Sequence, residues 1–295
     1  MSKFTELPPT DQPVPEGVYA FGADEDKRKG LNFRRELLSY TKLRRIVEPD
    51  DKPSPYVAGL GDLVHDRLLL GPDAIPGRYY FHGEQIKYNT KAGKAWRKAQ
   101  QEELGPNVVI IRPKEREEAE RLITSVLENP DTARVIKAKG LVECGLVAEL
   151  NGFRFRSWLD KLCPKAICDL KTSRTEDEEQ FLASARKYGY DVQAALYQDS
   201  CERIGLGKLP FYWLVISKLR GGAFLVEASE EMLENGRRWY QTVTELHGQL
   251  EIQRSITRVA VEHAESYTQA ETVIVCPECA EVRCDDGCDK GETDG

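Results

Sequence analysis

Apolar and polar positions in the first half of the chain predict helices. Apolar residues recur at helical spacing in four stretches, 31–47, 56–70, 88–103 and 114–128. The first stretch is basic, which is typical of a solvated helix face and also compatible with a DNA-binding arm. Residues 1–30 are rich in proline and charge, so we expect a mostly disordered lead there.

From Leu141 onward the pattern changes to that of strands. Residues 142–150 and 153–161 flank Asn151-Gly152, the strongest short-range signal for a β-hairpin with a type I′ turn. Five further elements are predicted: a strand at 166–171, a helix at 181–204, strands at 211–217 and 223–228, and a closing helix at 230–253. This order predicts an α/β fold in which a mixed central sheet is flanked by helices.

The length of 295 residues allows one sizeable core with small appendages. We expect a lead at 1–55, a central domain at 56–255 and a tail at 256–295. No run of 18 apolar residues is present, so a membrane span is not expected. The N-terminus lacks the apolar segment of a secretory signal, which favours a cytoplasmic protein.

Charge excludes one class of DNA-binding protein. The chain holds 42 basic and 49 acidic residues, a net charge of −7, whereas proteins that package DNA are basic overall. An enzyme with a local basic groove remains compatible with this composition.

The hairpin makes a geometric prediction about two carboxylates. A two-residue turn at Asn151-Gly152 places Glu149 opposite Arg154, as an ion pair, and Glu143 opposite Asp160. Two facing carboxylates repel each other unless a cation lies between them. A bulge in the hairpin would remove Glu143 from this position.

The third strand adds two groups on one face. Asp169 and Lys171 are two residues apart, so their side chains point the same way. Together with Glu143 and Asp160 they form a set of oxygen donors suited to Mg²⁺ or Mn²⁺, with a lysine to position or activate water. A lone Asp-x-Lys pair on a strand is often only surface decoration, and it is the combination that favours a catalytic site.

The following helix carries Gln193 and Tyr197 four residues apart, on one face. By themselves they are typical of a solvated amide and a core aromatic residue. After an Asp-x-Lys strand, the same face could instead hydrogen-bond a phosphate or the lysine.

These residues, taken together, resemble a known nuclease group. Gly61-x-x-x-His65, Asp160, Asp169-Leu170-Lys171-Thr172 and Gln193-x-x-x-Tyr197 are similar to the PD-(D/E)xK superfamily that includes the RecB nuclease domain. The segments Lys91-Ala-Gly-Lys-Ala-Trp96 and Tyr188-Gly-Tyr190-x-x-Gln193 resemble exodeoxyribonuclease VIII, the RecE-type exonuclease of phages and prophages.

The resemblance implies a Mg²⁺-dependent enzyme that degrades one strand of linear double-stranded DNA from the 5′ end in homologous recombination. It implies a ring-shaped homo-oligomer and a single-strand annealing protein as partner. It also implies that Glu143, Asp160 and Asp169 bind the metal, that Lys171 serves the attacking water, and that His65 lies at the metal or the entering phosphate. The sequence Arg154-Phe-Arg-Ser-Trp-Leu-Asp160 departs from the family's shorter Arg-x-Asp arrangement.

Four of the eight cysteines crowd the C-terminus, as Cys276, Cys279, Cys284 and Cys288. Four thiolates at this spacing suit tetrahedral Zn²⁺. An iron–sulfur cluster, which relatives in the wider superfamily carry, and no metal at all are the alternatives. The other four cysteines are typical of ordinary buried thiols, and disulfides are not expected.

Two other functions are compatible with the sequence. One is a RecB-like or CRISPR-adaptation-like repair nuclease with an iron–sulfur cluster, which metal analysis would detect. The other is a catalytically inactive nuclease fold that serves as a DNA-binding module. The intact set of Asp160, Asp169 and Lys171 argues against the inactive module.

Overall fold

The computed structural model describes residues 5–9, 12–21, 24, 30–31, 34, 36–48, 59–74, 77–83 and 86–269, with side chains through 258. The chain divides into two compact units, Met1–Glu245 and Leu246–Gly295. Within the part of the chain that the structure describes, no helix is long and apolar enough to cross a membrane.

A six-stranded sheet forms the centre of the first unit. In spatial order its strands are β1 (Gly17–Ala20), β4 (Leu141–Leu150), β5 (Phe153–Cys163), β6 (Ala166–Ser173), β7 (Phe211–Ser217) and β8 (Ala223–Glu227). The β6–β7 pair is parallel and the other four pairs are antiparallel, so the predicted mixed sheet is confirmed. A second, parallel pair is formed by β2 (Tyr79–Phe81) and β3 (Val109–Ile111).

Helices cover both faces of the large sheet. They are α1 (Tyr40–Val47), α2 (Leu60–Leu69), α3 (Lys91–Leu104), α4 (Pro113–Glu128), α5 (Pro130–Lys137), α6 (Glu178–Tyr188), α7 (Tyr190–Arg203) and α8 (Glu230–Gln269). Buried side chains of α6, α7 and the first turns of α8 pack with Ile167 and Trp213 on one face. Those of α2 and α4 pack with Cys168 and Leu170 on the other, together with residues of β2 and β3.

The β4–β5 hairpin has the predicted turn and register. Asn151 and Gly152 have φ angles of 51° and 75°, as a type I′ turn requires. Glu149 lies opposite Arg154, and the same register continues to the pair Leu141 and Leu162. The hairpin and its register are therefore confirmed, with a gap in the pairing at Glu143.

One predicted helix is corrected by the structure, and the lead contains a strand that was not predicted. Gly17–Ala20 of the lead pairs with β4, and Tyr19 is fully buried. The helix predicted at 181–204 is two helices separated at Gly189, whose φ is 69°. The short elements β1, β2, β3 and α5 were not predicted from the sequence pattern.

Of the second unit, the structure describes the continuation of α8 from Leu246 to Gln269. The side chains of 251–258 are exposed. The four clustered cysteines predicted to bind zinc lie outside the described residues.

Candidate active site

The site begins where strands β5 and β6 part. Their ladder runs from the pair Cys163 and Ala166 to the pair Lys161 and Cys168, and ends one residue short of Asp160 and Asp169. In place of a ladder bond, Oδ2 of Asp160 accepts a hydrogen bond of 2.7 Å from the backbone N–H of Leu170. This contact fixes the Asp160 carboxylate against β6, beside Asp169.

Asp169 and Lys171 form a close ion pair on one face of β6, with 2.6 Å between Nζ and Oδ2. Their side chains are 19% (Lys171) and 4% (Asp169) exposed. Burial raises the pKa of Asp169 to about 6, although the charge of Lys171 opposes the increase. Burial lowers the pKa of Lys171, but the carboxylates of Asp169 and Asp160 outweigh it and the net shift is upward. Lys171 is therefore a cation at neutral pH.

Helix α7 supplies the other contacts of Lys171. Its Nζ donates a hydrogen bond of 3.2 Å to Oε1 of Gln193 and lies 4.6 Å from the centre of the Tyr190 ring. Tyr190, Gln193 and Tyr197 follow the spacing i, i+3, i+7, so they share one helical face. Tyr190 was missed as a site residue in the sequence, although this spacing places it on the same helical face as Gln193 and Tyr197.

A chain of hydrogen bonds continues behind Lys171. A lysine can only donate, so Gln193 must turn its oxygen towards Lys171 and its amide group away. Nε2 of Gln193 then donates to the hydroxyl of Tyr197 at 2.9 Å, and that hydroxyl also accepts from the backbone N–H of Trp158 at 3.4 Å. Burial raises the pKa of Tyr197, so its hydroxyl stays protonated. The chain connects Lys171 to β5 through α7.

His65 approaches the site from the opposite helix layer. Its Nδ1 lies 3.8 Å from Oδ2 of Asp160, and burial lowers its pKa, so the imidazole is neutral at pH 7. Helix α2, which carries His65, passes close to β6: a Cβ on Gly61 would lie 3.0 Å from Oγ1 of Thr172. Glycine at this position lets α2 bring His65 to the strand ends.

Glu143 occupies the position opposite Asp160 in the β4–β5 register, between the pairs Val142–Lys161 and Cys144–Leu159. It does not form a regular pair with Asp160. Its φ is 48°, in the left-handed region that non-glycine residues rarely adopt, and it is 8% exposed. The predicted register is therefore present, with a local distortion at Glu143 itself.

The donor set can be compared with what a divalent cation needs. Among the described residues, no three His, Cys, Asp or Glu side chains are already arranged as a metal cluster. Mg²⁺, however, keeps several waters and is commonly bound through one or two carboxylates. Oδ2 of buried Asp169 accepts no regular hydrogen bond from the described residues, its ion pair aside. Asp160 and Asp169 thus fit a hard divalent cation.

Comparison with known proteins agrees with this fold. A family model described as "PDDEXK-like domain of unknown function (DUF3799)" matches residues 80–257, which is more than half of the chain. The chain belongs to this family. Membership places it in the PD-(D/E)xK nuclease superfamily, and the match spans Glu143, Asp160, Asp169, Lys171, Gln193 and Tyr197, while His65 precedes it.

The chain is also similar to a solved structure, the crystal structure of a "Putative exonuclease" from Eubacterium rectale, with 16% sequence identity and a TM-score of 0.47. The alignment covers 70% of this chain and 78% of the other. A search of curated proteins finds no significant match.

Proposed function

We propose that this chain is a divalent-metal-dependent exodeoxyribonuclease that degrades one strand of linear double-stranded DNA. The observation that carries the proposal is the meeting of Asp160, Asp169 and Lys171 where β5 and β6 part, with Lys171 held by Gln193. Membership in a PDDEXK-like family supports nuclease chemistry. The residues that resemble exodeoxyribonuclease VIII support exonucleolytic action from the 5′ end.

Mg²⁺ or Mn²⁺ is the cofactor of this proposal, held by Asp160 and Asp169, with Glu143 and His65 as further candidate ligands. When bound, such an ion lowers the pKa of a coordinated water and neutralises charge that develops on the phosphate. Because the imidazole of His65 is neutral, it can accept a proton. It can also contact a metal without bringing a positive charge to the site.

Side chains of the site then position the reacting groups. Lys171, as a buried cation, can hold an attacking water or stabilise negative charge on the scissile phosphate. Gln193 and Tyr190 restrict where its ammonium lies, and Tyr197 restricts Gln193. These three are positioning residues, because they act through Lys171.

The biological setting follows from the resemblance to RecE-type exonucleases. We propose a role in phage-type homologous recombination, a homo-oligomer that encloses the duplex, and a single-strand annealing protein as partner. At the C-terminus, Cys276, Cys279, Cys284 and Cys288 are proposed to bind one Zn²⁺ outside the catalytic residues.

The test is digestion of linear duplex DNA labelled separately at each end, with closed circular DNA as comparison. We expect Mg²⁺-dependent release of label from the 5′ ends and no loss of the circle. Cleavage of the circle would show an endonuclease instead. No cleavage of either DNA with Mg²⁺ or Mn²⁺ would show an inactive DNA-binding module.

A further inference from the structure

A surface formed by residues outside the candidate active site has an unusual concentration of positive charge. Residues 86–98 hold five basic side chains and no acidic one, in a chain whose net charge is −7. Lys87, Lys94 and Arg97 are exposed. Among the described residues, neither Lys87 nor Lys94 is joined to a carboxylate by an ion pair. We call residues 86–98, together with Arg112 and Lys114 beside them, the basic surface.

Aromatic rings alternate with cations on this surface. The ring of Tyr88 stacks on Trp96 with centroids 6.1 Å apart, and Trp96 lies 4.8 Å from the ring of His82. The guanidinium groups of Arg97 and Arg112 lie 5.7 Å and 5.4 Å from the centre of the Tyr88 ring. Two arginines are therefore held in place by one aromatic ring, which reduces the conformational entropy that they would lose on binding a ligand.

The loop and the helix of the basic surface are fastened to each other. Thr90 caps α3 by accepting from the N–H of Gly93, and its own hydroxyl donates to the carbonyl of Lys87. A Cβ on Gly93 would collide with that same carbonyl oxygen. The close approach requires glycine at this position, and it presses the Lys87–Tyr88 backbone onto the first turn of α3.

The loop and α4 border an open cleft of about 900 Å³, lined among others by Lys87, Tyr88, Arg112 and Lys114. Of its two acidic lining residues, Glu115 is already bonded to Arg112. We propose that the basic surface binds single-stranded DNA, with lysine and arginine on phosphates and the Tyr88–Trp96 pair against a base. A nucleotide of a single strand can enter such a cleft, whereas a base-paired duplex is too wide and hides its base faces.

The position of the surface suits a nuclease. Helix α2, which carries His65, is fastened to β2 through Asp66, which accepts from the hydroxyl of Tyr79 at 2.6 Å and pairs with Arg78 at 3.0 Å. The chain enters the basic surface directly after β2. An exonuclease that removes one strand leaves the other unpaired, and that strand is the ligand inferred here. In this respect the inference rests on the proposed function.

The test is binding of a fluorescently labelled single-stranded oligodeoxynucleotide to the full chain, measured by anisotropy with all divalent cations chelated. The variant Lys94→Ala/Arg97→Ala removes two exposed charges, and Lys137→Ala/Lys139→Ala is its matched control. We expect the first variant to bind about tenfold more weakly and the control within about twofold of the wild type. The slope of log K against log salt concentration should become shallower by roughly 1.4 in the first variant, because each of the two lost phosphate contacts contributes about 0.7.

A second pair of variants tests the aromatic contact. Tyr88→Leu should lose at least about fivefold in affinity for the single strand, while Tyr88→Phe, which keeps the ring, should bind within about twofold of the wild type. Circular dichroism confirms that each variant is folded. In both tests, the affinity for blunt duplex DNA of the same sequence should fall less than the affinity for the single strand.

Three results would overturn the inference: no single-strand binding by the wild type, equal binding by Lys94→Ala/Arg97→Ala, or equal losses for duplex and single strand. A polyglutamate peptide that competes with DNA at equal charge concentration would show an acidic-peptide site instead. The assay involves no hydrolysis, so it can fail while digestion of linear duplex succeeds, and the two outcomes stay separate.

Discussion

The ammonium of Lys171 lies 2.6 Å from Oδ2 of Asp169, and both side chains point to the same face of β6. The pair is largely buried, so each charge depends on the other for compensation in a region with little water. The contribution of the pair to stability can therefore be separated from its contribution to catalysis by comparing a variant that lacks one of the two charges with a variant that lacks both.

The first prediction is that Lys171→Met lowers stability and abolishes nuclease activity. The substitution leaves the buried carboxylate of Asp169 without its cation, at a cost of about 3 kcal/mol. Asp169→Asn/Lys171→Met removes both charges and should recover most of the melting temperature, while its rate stays lower by orders of magnitude. Melting temperature and the rate of digestion of linear duplex DNA are measured on the same samples.

Lys165→Met is the control, because Lys165 is exposed in the β5–β6 turn. It should behave as the wild type in both measurements. A double variant no more stable than Lys171→Met would contradict the buried-pair explanation, and full activity in Lys171→Met would remove Lys171 from the site.

The second prediction concerns Tyr197, whose hydroxyl accepts from Gln193 and from the backbone of β5. Tyr197→Phe keeps the ring but frees Gln193, so we expect about a tenfold lower rate, or ~1.4 kcal/mol of transition-state stabilisation. Gln193→Ala should have a similar effect, and the double variant should be less than additive because both act on Lys171. Rates of DNA digestion test all three variants.

Tyr212→Phe removes a tyrosine hydroxyl from β7 and should leave the rate unchanged. If Tyr197→Phe is also silent in rate and only Tyr197→Ala is affected, through a lower melting temperature, then Tyr197 is merely a core aromatic residue.

The hairpin could be predicted because its information is local. Asn151-Gly152 determines the turn, and the turn determines the register of β4 and β5. Asp169 and Lys171 could be placed on one face for the same reason, since they are two residues apart on one strand. Where the information was local, the sequence pattern was sufficient.

Other features depend on contacts that no local pattern contains. Strand β1 has only four residues in a proline-rich segment, and it is held by pairing with β4, for example Val18 with Leu146. The parting of β5 and β6 depends on the bond from Leu170 to Asp160. The contact of Tyr190 with Lys171 requires α7 to pack on β6, which periodicity alone does not determine.

A third prediction concerns the C-terminal cysteines. Cys276, Cys279, Cys284 and Cys288 should bind one zinc ion per chain, because four thiolates must each reach about 2.3 Å from one ion. Elemental analysis of the purified protein should give one equivalent, and Cys276→Ser/Cys279→Ser should lose it. Cys163→Ser, at a half-buried cysteine outside this group, is the control. A brown protein, or one without metal, would show that the zinc assignment is wrong.

A fourth prediction concerns the contact between α7 and α8. Arg237 binds Asp199 through two hydrogen bonds of 2.8 Å each, and the hydroxyl of Tyr240 also donates to Asp199. Asp199→Ala leaves a largely buried guanidinium unpaired, so unfolding in urea should show a loss of about 3 kcal/mol. Glu234, the exposed second partner of Arg237, is the control, and Glu234→Ala should cost less than about 1 kcal/mol. Equal losses in the two variants would contradict a special role for Asp199.

The fifth prediction separates strain from function at Glu143. A side chain at φ 48° costs roughly 1–2 kcal/mol relative to glycine, which adopts this angle freely. Glu143→Gly and Glu143→Ala remove the same carboxylate, but only glycine relieves the backbone. We therefore expect the glycine variant to be more stable than the alanine variant by about 1 kcal/mol in urea unfolding.

If the carboxylate of Glu143 serves the metal, both variants should lose activity by about the same large factor, despite their different stabilities. Glu143→Gln should match them in rate, because an amide keeps the shape but not the charge that a divalent cation needs. Activity in Glu143→Gln close to that of the wild type would remove Glu143 from the site and leave Asp160 and Asp169 as its carboxylates. Alanine as stable as glycine would instead show that the backbone at Glu143 is unstrained in solution.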